Sequence, residues 1–506
     1  DYSLHLGWNN LRYIIETALL HGMLLNRTVI IPSFVYARSC EYDPEICAEY
    51  APMVNHGDAT ISDGIRKLPV SDQKAWRIPI TTMLNMSLLR SKQPVITVSE
   101  YLRLHNISEY TESSNGHWER QKYHPNPSVF DNTGKTPSLH VIENHWYDPK
   151  GINRVDVISE NMKERGGWTA EGGDPLKGEN GGWKSISKTS IYVALEAALP
   201  DRPSVLQWDQ ARQTMLDKGY ISWSLTDEEL EGVLNENGWE VLYTYNGALG
   251  MDYVKNVVEP IRQVAPRQTL RGLEEDYGHI TADVVLLAGE VHYERKPGGI
   301  RFTTLTNRDL FSRMVLYQVH APQKVLRLAA TLATRMKEET GGRMWLGAHM
   351  RRGDFVLVNW AMEKTLEAHL SRIQNHLTTG RDVLRSLREN ELTTYDIPNV
   401  TPDRTVTQLR PPQDSDRFYL ATDERDPDNL AYLADHGAIF ASNLLTIDDR
   451  RAFGWSLMLT DVLGLVEQAV LAQSSYFYGH AMSSYAGGTI NMRAAAGLDP
   501  RTAFID

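Results

Sequence analysis

Two arginines and a histidine stand together where an apolar run ends. His349-Met350-Arg351-Arg352-Gly353-Asp354-Phe355 follows directly on Met344-Trp345-Leu346-Gly347-Ala348. A strand buried on both faces reads as such a run, and ligands of open α/β sheets collect at the carboxyl ends of these strands. Arginine is a permanently charged planar fork of donors, suited to phosphate oxygens and to charge developing on a phosphate leaving group. The chemistry implied is capture of a nucleotide diphosphate. Two plainer readings stand beside it: the arginines close ion pairs at a strand end, or Arg352-Gly353-Asp354 is an adhesion tripeptide on an exposed loop.

The elements around this block follow from periodicity. Val325, Leu328, Leu332 and Met336 form one helix face, Gly341-Gly342 ends that helix, and the strand Met344 to Met350 comes next. Further on, Arg417 to Glu424 reads as a strand ending in carboxylates, then a helix from about Pro427 to His436 and a strand Ala438 to Ala441. A helix through Leu457, Val462, Val466 and Val470 precedes the strand Tyr476 to Gly479, which leads into Met482-Ser483-Ser484-Tyr485 and a last helix. Such alternation predicts a doubly wound parallel sheet. In it, His349, Arg351 and Arg352 would meet Asp423, Glu424, Ser483 and Ser484. The carboxylates suit a guanine edge or ribose hydroxyls, and the serines at a helix start either hold phosphate or simply cap.

The opening repeats the pattern. Tyr2 to Leu6 reads as a strand, Gly7-Trp8-Asn9-Asn10 as a loop, Leu11, Ile14, Ile15, Ala18 and Leu19 as a helix face, and Thr28 to Pro32 as a second strand. The loop of such a unit lies at the ligand edge with a helix N-terminus pointing into it. Asn9 and Asn10 are cap residues, ligand contacts, or both.

The His-x-Arg-Arg-Gly-Asp block resembles the first signature of the GDP-fucose-dependent fucosyltransferases, the superfamily of the protein O-fucosyltransferases and α1,6-fucosyltransferases. Leu25-Asn26-Arg27-Thr28-Val29-Ile30-Ile31-Pro32 is similar to that superfamily's amino-terminal element. The resemblance implies an α/β fold of GT-B type, two Rossmann-like doubly wound domains facing a cleft. Residues 1–322 would form the acceptor-side domain with insertions, and 323–506 the nucleotide-sugar-binding domain. It further implies inverting transfer of fucose from GDP-fucose to a protein or glycan hydroxyl, without a cofactor or metal. Arg351 would stabilise the departing GDP and His349 would brace the nucleotide or orient Arg351. Arg352 would touch the nucleotide or pair with Asp354. Asp423, Glu424, Ser483, Ser484, Gly7, Asn9 and Asn10 would complete the nucleotide-sugar site. Some members carry a glutamate in the first loop where this chain has Gly7, which leaves the base unassigned. Asp354 is a candidate by proximity, and Glu16 only if the first helix turns it inward, which its spacing does not favour. A relative using another nucleotide sugar, or a noncatalytic binder of nucleotide sugar or carbohydrate, is the alternative.

Metal-dependent transferases use Asp-x-Asp. Here Asp414-Ser415-Asp416 precedes its strand at the wrong edge, and Asp426-Pro427-Asp428 reads as a helix cap with proline in the first turn. A formal net charge of −12 argues against coating nucleic acid or an anionic membrane. At 506 residues two domains are expected. Cys40 and Cys47 either close a small disulfide loop or remain two buried thiols. Sequons at Asn26, Asn85, Asn106 and Asn399 favour a secretory route; Asn26, between helix and strand, reads as structural, leaving Asn85, Asn106 and Asn399 as acceptors. No signal peptide opens the chain, and Gly454 to Ala472 is too polar to span a bilayer. A trimmed type II protein of the Golgi or endoplasmic reticulum lumen, anchored if at all upstream of residue 1, is expected. The Gly-rich stretch Gly166 to Trp183 reads as an exposed insertion, near an acceptor cleft or inert, and not as a P-loop. Trp146 and Tyr147 either stack on sugar or pack. Residues 50 to 300, where acceptor specificity should lie, show little periodicity.

Overall fold

The computed structural model describes residues 7–55, 74–112, 117–124, 137–174, 178–200, 204–246, 256–289, 295–357 and 359–506, without the side chains of Asp354 and Leu357. The strand expected at Tyr2 to Leu6 lies outside them.

The arginine-bearing sheet has five strands: β1 (Leu346–Met350), β2 (Phe418–Thr422), β3 (Ala438–Ile439), β4 (Tyr476–Gly479) and β5 (Ala503–Ile505). All neighbours are parallel, in the order β3-β2-β1-β4-β5. Side chains alternate across a strand. Leu346, Ala348, Met350, Phe418, Leu420, Tyr476 and Tyr478 enter one core, shared with Leu370, Ile373 and Leu377 of α3 (Leu366–Ser386). Tyr419, Ala421 and Phe477 enter the other, against α2 (Gln323–Glu339), α5 (Thr460–Leu471) and α6 (Ser484–Ala495). Both faces are covered, which is why these strands are apolar throughout. The chain winds outward from β1 in one direction and then resumes on its other side with β4. That reversal is a topological switch point, where a crevice opens outside the carboxyl ends of β1 and β4.

The sequence reading missed α3, passing over Leu366, Leu370, Ile373 and Leu377 as a polar stretch, and it missed β5. The helix Pro427–Asp435, called α4 below, begins at the cap Asp426, whose carboxylate accepts from the amides of Asp428 and Asn429 at 3.0 Å.

The amino-terminal half departs from a second continuous doubly wound sheet. Among the described residues its parallel strands form three separate pairs: Val29–Ile31 with Val95–Thr97, Asn153–Val155 with Leu270–Gly272, and Leu139–Ile142 with Val284–Leu287. Trp239–Tyr245 and Pro260–Pro266 form an antiparallel ladder, and Phe34–Ala37 pairs with Lys74–Pro79. Parallel strands of three or four residues offer few ladder bonds, so pairs end before a wide sheet is built.

The helix α1 (Trp8–Leu24) joins the halves. Its Leu11, Ile15 and Leu19 lie in the same apolar cluster as Leu332, Val466 and Ile490. It ends at Asn26 in the left-handed region, φ 49°, and Arg27 donates to the carbonyls of Ala282 (2.8 Å) and Ile280. Cys40 and Cys47 are joined by a disulfide. Asn106 and Asn399 are exposed at positive φ, whereas Asn85 is half-buried and caps the helix Met86–Arg90.

Within the described residues the Gly-rich stretch is tied down rather than loose. The Asp276 carboxylate, wholly buried, binds Arg154 (2.6 Å) and Arg271, and accepts from the amide of Asn180 (3.0 Å). Arg271 also donates to the carbonyl of Gly181 (2.6 Å) and lies over Trp168, which meets Trp183 edge-on. Tyr147 packs in this core with Arg154 and Arg295 against its ring, while Trp146 is 39% exposed. Among the described residues no helix is long and apolar enough to cross a membrane.

Candidate active site

The β1–β2 register sets Met350 opposite Thr422, so the next residues on each strand, Arg351 and Asp423, leave the sheet side by side. Arg351 Nη1 donates to Asp423 Oδ2 at 2.6 Å, and the backbone amide of Arg352 donates to Oδ1 at 2.8 Å. Both side chains are 24% exposed, at the rim of the crevice. Asp423 therefore aims Arg351.

Gly353 makes that arrangement possible. A Cβ there would stand well inside van der Waals contact distance of Asp423 Oδ2. Gly353→Ala is expected to turn the carboxylate away and release Arg351, lowering any turnover that depends on the arginine by about 10²-fold, as an ångström of misplacement does. Steady-state kinetics beside circular dichroism of the variant checks this.

Arg352 has a different task from the one expected. Its buried guanidinium donates to the carbonyls of Thr365 (3.1 Å), Glu363 (3.2 Å) and Lys364 (3.4 Å), fixing the chain just ahead of α3. Three of its donors go to main chain, which makes it an anchor for that segment, and its burial ends the adhesion reading. Glu424 is likewise occupied: Oε1 accepts from the amides of Arg425 (2.9 Å) and Asp426 (3.0 Å), and Oε2 from Asn429 Nδ2 (3.1 Å), so it organises the start of α4.

His349 is buried, stacked on Tyr485 with ring centroids 4.3 Å apart. Burial, then the charge of Arg351, drives its pKa well below the usual histidine range. Its Nδ1 has no partner among the described residues. His369 and His480 are held at about 4, chiefly by burial. These three histidines are thus neutral at neutral pH. Behind the stack, Tyr419 donates to Glu467 Oε1 at 3.4 Å. Burial pushes the half-buried Glu467 up to about 8. The folded protein then keeps a proton that the unfolded chain releases between about pH 4.5 and 8, and stability falls as pH rises through that window. Glu467→Gln is expected to leave thermal stability nearly unchanged at pH 5 and to raise it by roughly 1–3 kcal/mol at pH 9, read by calorimetry at both values.

Two helix N-termini close the crevice. α6 begins at Ser483, which is buried and makes no side-chain cap bond. Gly479 permits its close approach to β4, since a Cβ there would lie 3.0 Å from Ala486 Cβ. α1 begins at Gly7, and its first turn is fastened to α6: Gln468 Nε2 donates to Asn9 Oδ1 (3.2 Å) and to the carbonyl of Tyr485 (2.8 Å). Tyr13 donates to the carbonyl of Ser484 at 3.1 Å. Asn10 lies in the same half-buried turn. Tyr485 in the first turn of α6 stacks on His349 of β1, so the first turns of both helices, with the positive ends of their dipoles, gather at the carboxyl end of that strand. Sequence reading missed Arg38, which follows the strand Phe34–Ala37, lies 3.1 Å from where a Cβ of Gly7 would stand, and is braced by Asp461. It also missed Tyr485, although an aromatic beside two serines at a helix start was the available signal.

Glu16 is turned inward, contrary to the expectation from spacing. It is 1% exposed, 3.0 Å from Arg12 Nε, and burial raises its carboxyl to about 7. Asp416 pairs with Arg343 and Asp414 with Arg385. Among the described residues no group of three or more His, Cys, Asp or Glu side chains is arranged to hold a metal.

No family model and no curated protein matches the chain. Solved structures do. POFUT1 in complex with GDP aligns over 99% of this chain and 96% of its own, at 9% identity and a TM-score of 0.35. The chain is similar to POFUT1. POFUT1 in complex with GDP-fucose aligns over 97% of this chain and 92% of its own, at 10% identity and a TM-score of 0.33.

Proposed function

We propose that the chain is a glycosyltransferase that transfers fucose from GDP-fucose to a protein or glycan hydroxyl, with inversion and without a metal, in the lumen of the secretory pathway. The observation that carries this reading is the gathering at one switch point of Arg351, paired with Asp423 beyond the end of β1, and of the first turns of α6 and α1, the former stacked through Tyr485 on His349 of the same strand and the latter bonded to it. A diphosphate is the ligand whose charge and oxygen count match an arginine fork and two sets of free amides. Arg351 shifts its fork from Asp423 to the β-phosphate as the sugar–oxygen bond breaks, while Ser483, Ser484, Gly7, Asn9 and Asn10 hold the rest of the nucleotide sugar. His349, neutral on Tyr485, braces the nucleotide, and its unpartnered Nδ1 awaits a donor or acceptor there. The His-x-Arg-Arg-Gly-Asp block supports fucose as the sugar, and the Cys40–Cys47 disulfide supports the compartment. The domain division at 322/323 belongs to this proposal.

The test is calorimetric titration with GDP and UDP, followed by nucleotide release from a panel of GDP- and UDP-sugars in the presence of chelator. Tight GDP binding and selective consumption of GDP-fucose are expected. Failure to bind either nucleotide overturns the site, and consumption of another sugar nucleotide alone overturns the donor.

A further inference from the structure

Beside the crevice lies a surface that the nucleotide site does not use. Tyr42 (45% exposed), Ile46 (41%), Tyr50 (53%) and Met53 (39%) project from one short segment. Four large apolar side chains exposed within twelve residues of a folded chain mark a contact face. The segment is held stiff. The disulfide closes residues 40–47, Cys40 bridges to Leu459, the amide of Glu41 donates to Met458 at 2.8 Å, and Arg450 clamps the Glu41 carboxylate at 2.6 Å. Tyr50 stacks on Trp455, centroids 6.1 Å apart. Rigid aromatics lose little entropy on binding a partner.

The surface adjoins the catalytic edge through the chain itself. Arg38, three residues before Glu41, lies against Gly7, and Ser39 Oγ accepts from Arg425, two residues beyond Asp423. Whatever rests on Tyr42 and Tyr50 has one end at the crevice. Its charge is fixed by complementarity: residues 41–53 hold four carboxylates and no lysine or arginine, and with Glu41 neutralised by Arg450, Asp43, Glu45 and Glu49 face solvent. A neutral glycan can give these carboxylates only neutral hydroxyl donors, a cationic side chain gives the stronger charge-assisted bond, and an acidic partner is repelled.

We propose that the face formed by residues 41–53 docks the acceptor, and that the acceptor is a polypeptide carrying lysine or arginine around its hydroxyl. This rests on the transferase reading above. The test uses the full chain and two fluorescent peptides of equal length, each with one serine, one threonine and two leucines; one is otherwise rich in lysine and arginine, the other in aspartate and glutamate. Fluorescence anisotropy should show the basic peptide binding at least about tenfold more tightly, with the preference shrinking at high salt. Asp43→Lys/Glu45→Lys/Glu49→Lys should reverse the preference, and Tyr42→Ser/Tyr50→Ser should weaken the basic peptide several-fold, both with GDP affinity unchanged. Equal binding of the two peptides by the wild type, or a preference that survives the triple replacement, overturns the proposal. So does tyrosine-dependent binding of a chito-oligosaccharide without any peptide preference, which would make the face a glycan platform. Loss of GDP binding by the wild type would instead sink the nucleotide site, a result separate from the peptide preference.

Discussion

Arg351→Ala is expected to lower turnover of the sugar nucleotide by about 10³-fold while leaving the far-ultraviolet circular dichroism unchanged. The arginine is a quarter exposed beyond the end of β1, pairs with Asp423 and lies over the Phe355 ring. It stands outside the two buried cores that hold the sheet. In the proposed transfer it is the fork that β1 offers to a departing diphosphate, and a factor of 10³ corresponds to about 4 kcal/mol of barrier. Arg351→Lys keeps the charge and loses the planar pair of donors, so it should recover only part of the rate. Single-turnover kinetics distinguishes this from weakened binding: kcat should fall far more than GDP affinity. Equal loss of both would mean that Arg351 grips the nucleotide in the ground state and contributes nothing specific to the step.

Asp276→Asn is expected to produce the largest loss of stability. The substitution keeps the shape and removes a buried charge that holds two buried arginines, Arg154 at 7% and Arg271 at 4% side-chain exposure. Among the described residues the carboxylate left to Arg271 is then Glu179, 3.9 Å away. Breaking a buried pair from one side typically costs about 3–5 kcal/mol, because the remaining charge stays desolvated. The first unfolding transition should drop by roughly 10 °C. The same carboxylate holds the amide of Asn180, so limited proteolysis should begin to cut near Gly181 in the variant at temperatures where the parent resists. Adding Arg271→Met should recover part of the stability, since it removes one of the stranded charges.

The carboxyl-terminal sheet was legible because its strands are apolar on both faces, a pattern with little ambiguity once helices alternate with it. α3 escaped because its apolar stripe is narrow among Glu367, Arg372 and Arg381, so composition outweighed spacing. In the amino-terminal half, three-residue strands leave no period to read. The site divides similarly. Arg351 and Asp423 were recognised singly, but their pairing depends on a register between strands 72 residues apart. That Arg352 and Glu424 organise neighbouring chain is something strand parity already contains. Met350 and Leu420 face the α3 core, and Arg352 and Glu424 continue that parity, whereas Arg351 and Asp423 continue the parity of Tyr419 and Ala421 on the α6 side. Counting by twos from the core residues would have sorted the four.

The bond from Tyr13 to Ser484 spans 471 residues. During synthesis α1 emerges long before α6 exists, and although Val29 and Ile31 reach its apolar cluster early, the side that meets α6 has no partner until nearly all of the chain has left the ribosome. Closure of so long a loop is slow, and the exposed helix invites misassembly meanwhile. The protein should therefore depend on holding factors early in its life, and added GDP, by binding only the closed state, should raise the yield of refolding from denaturant.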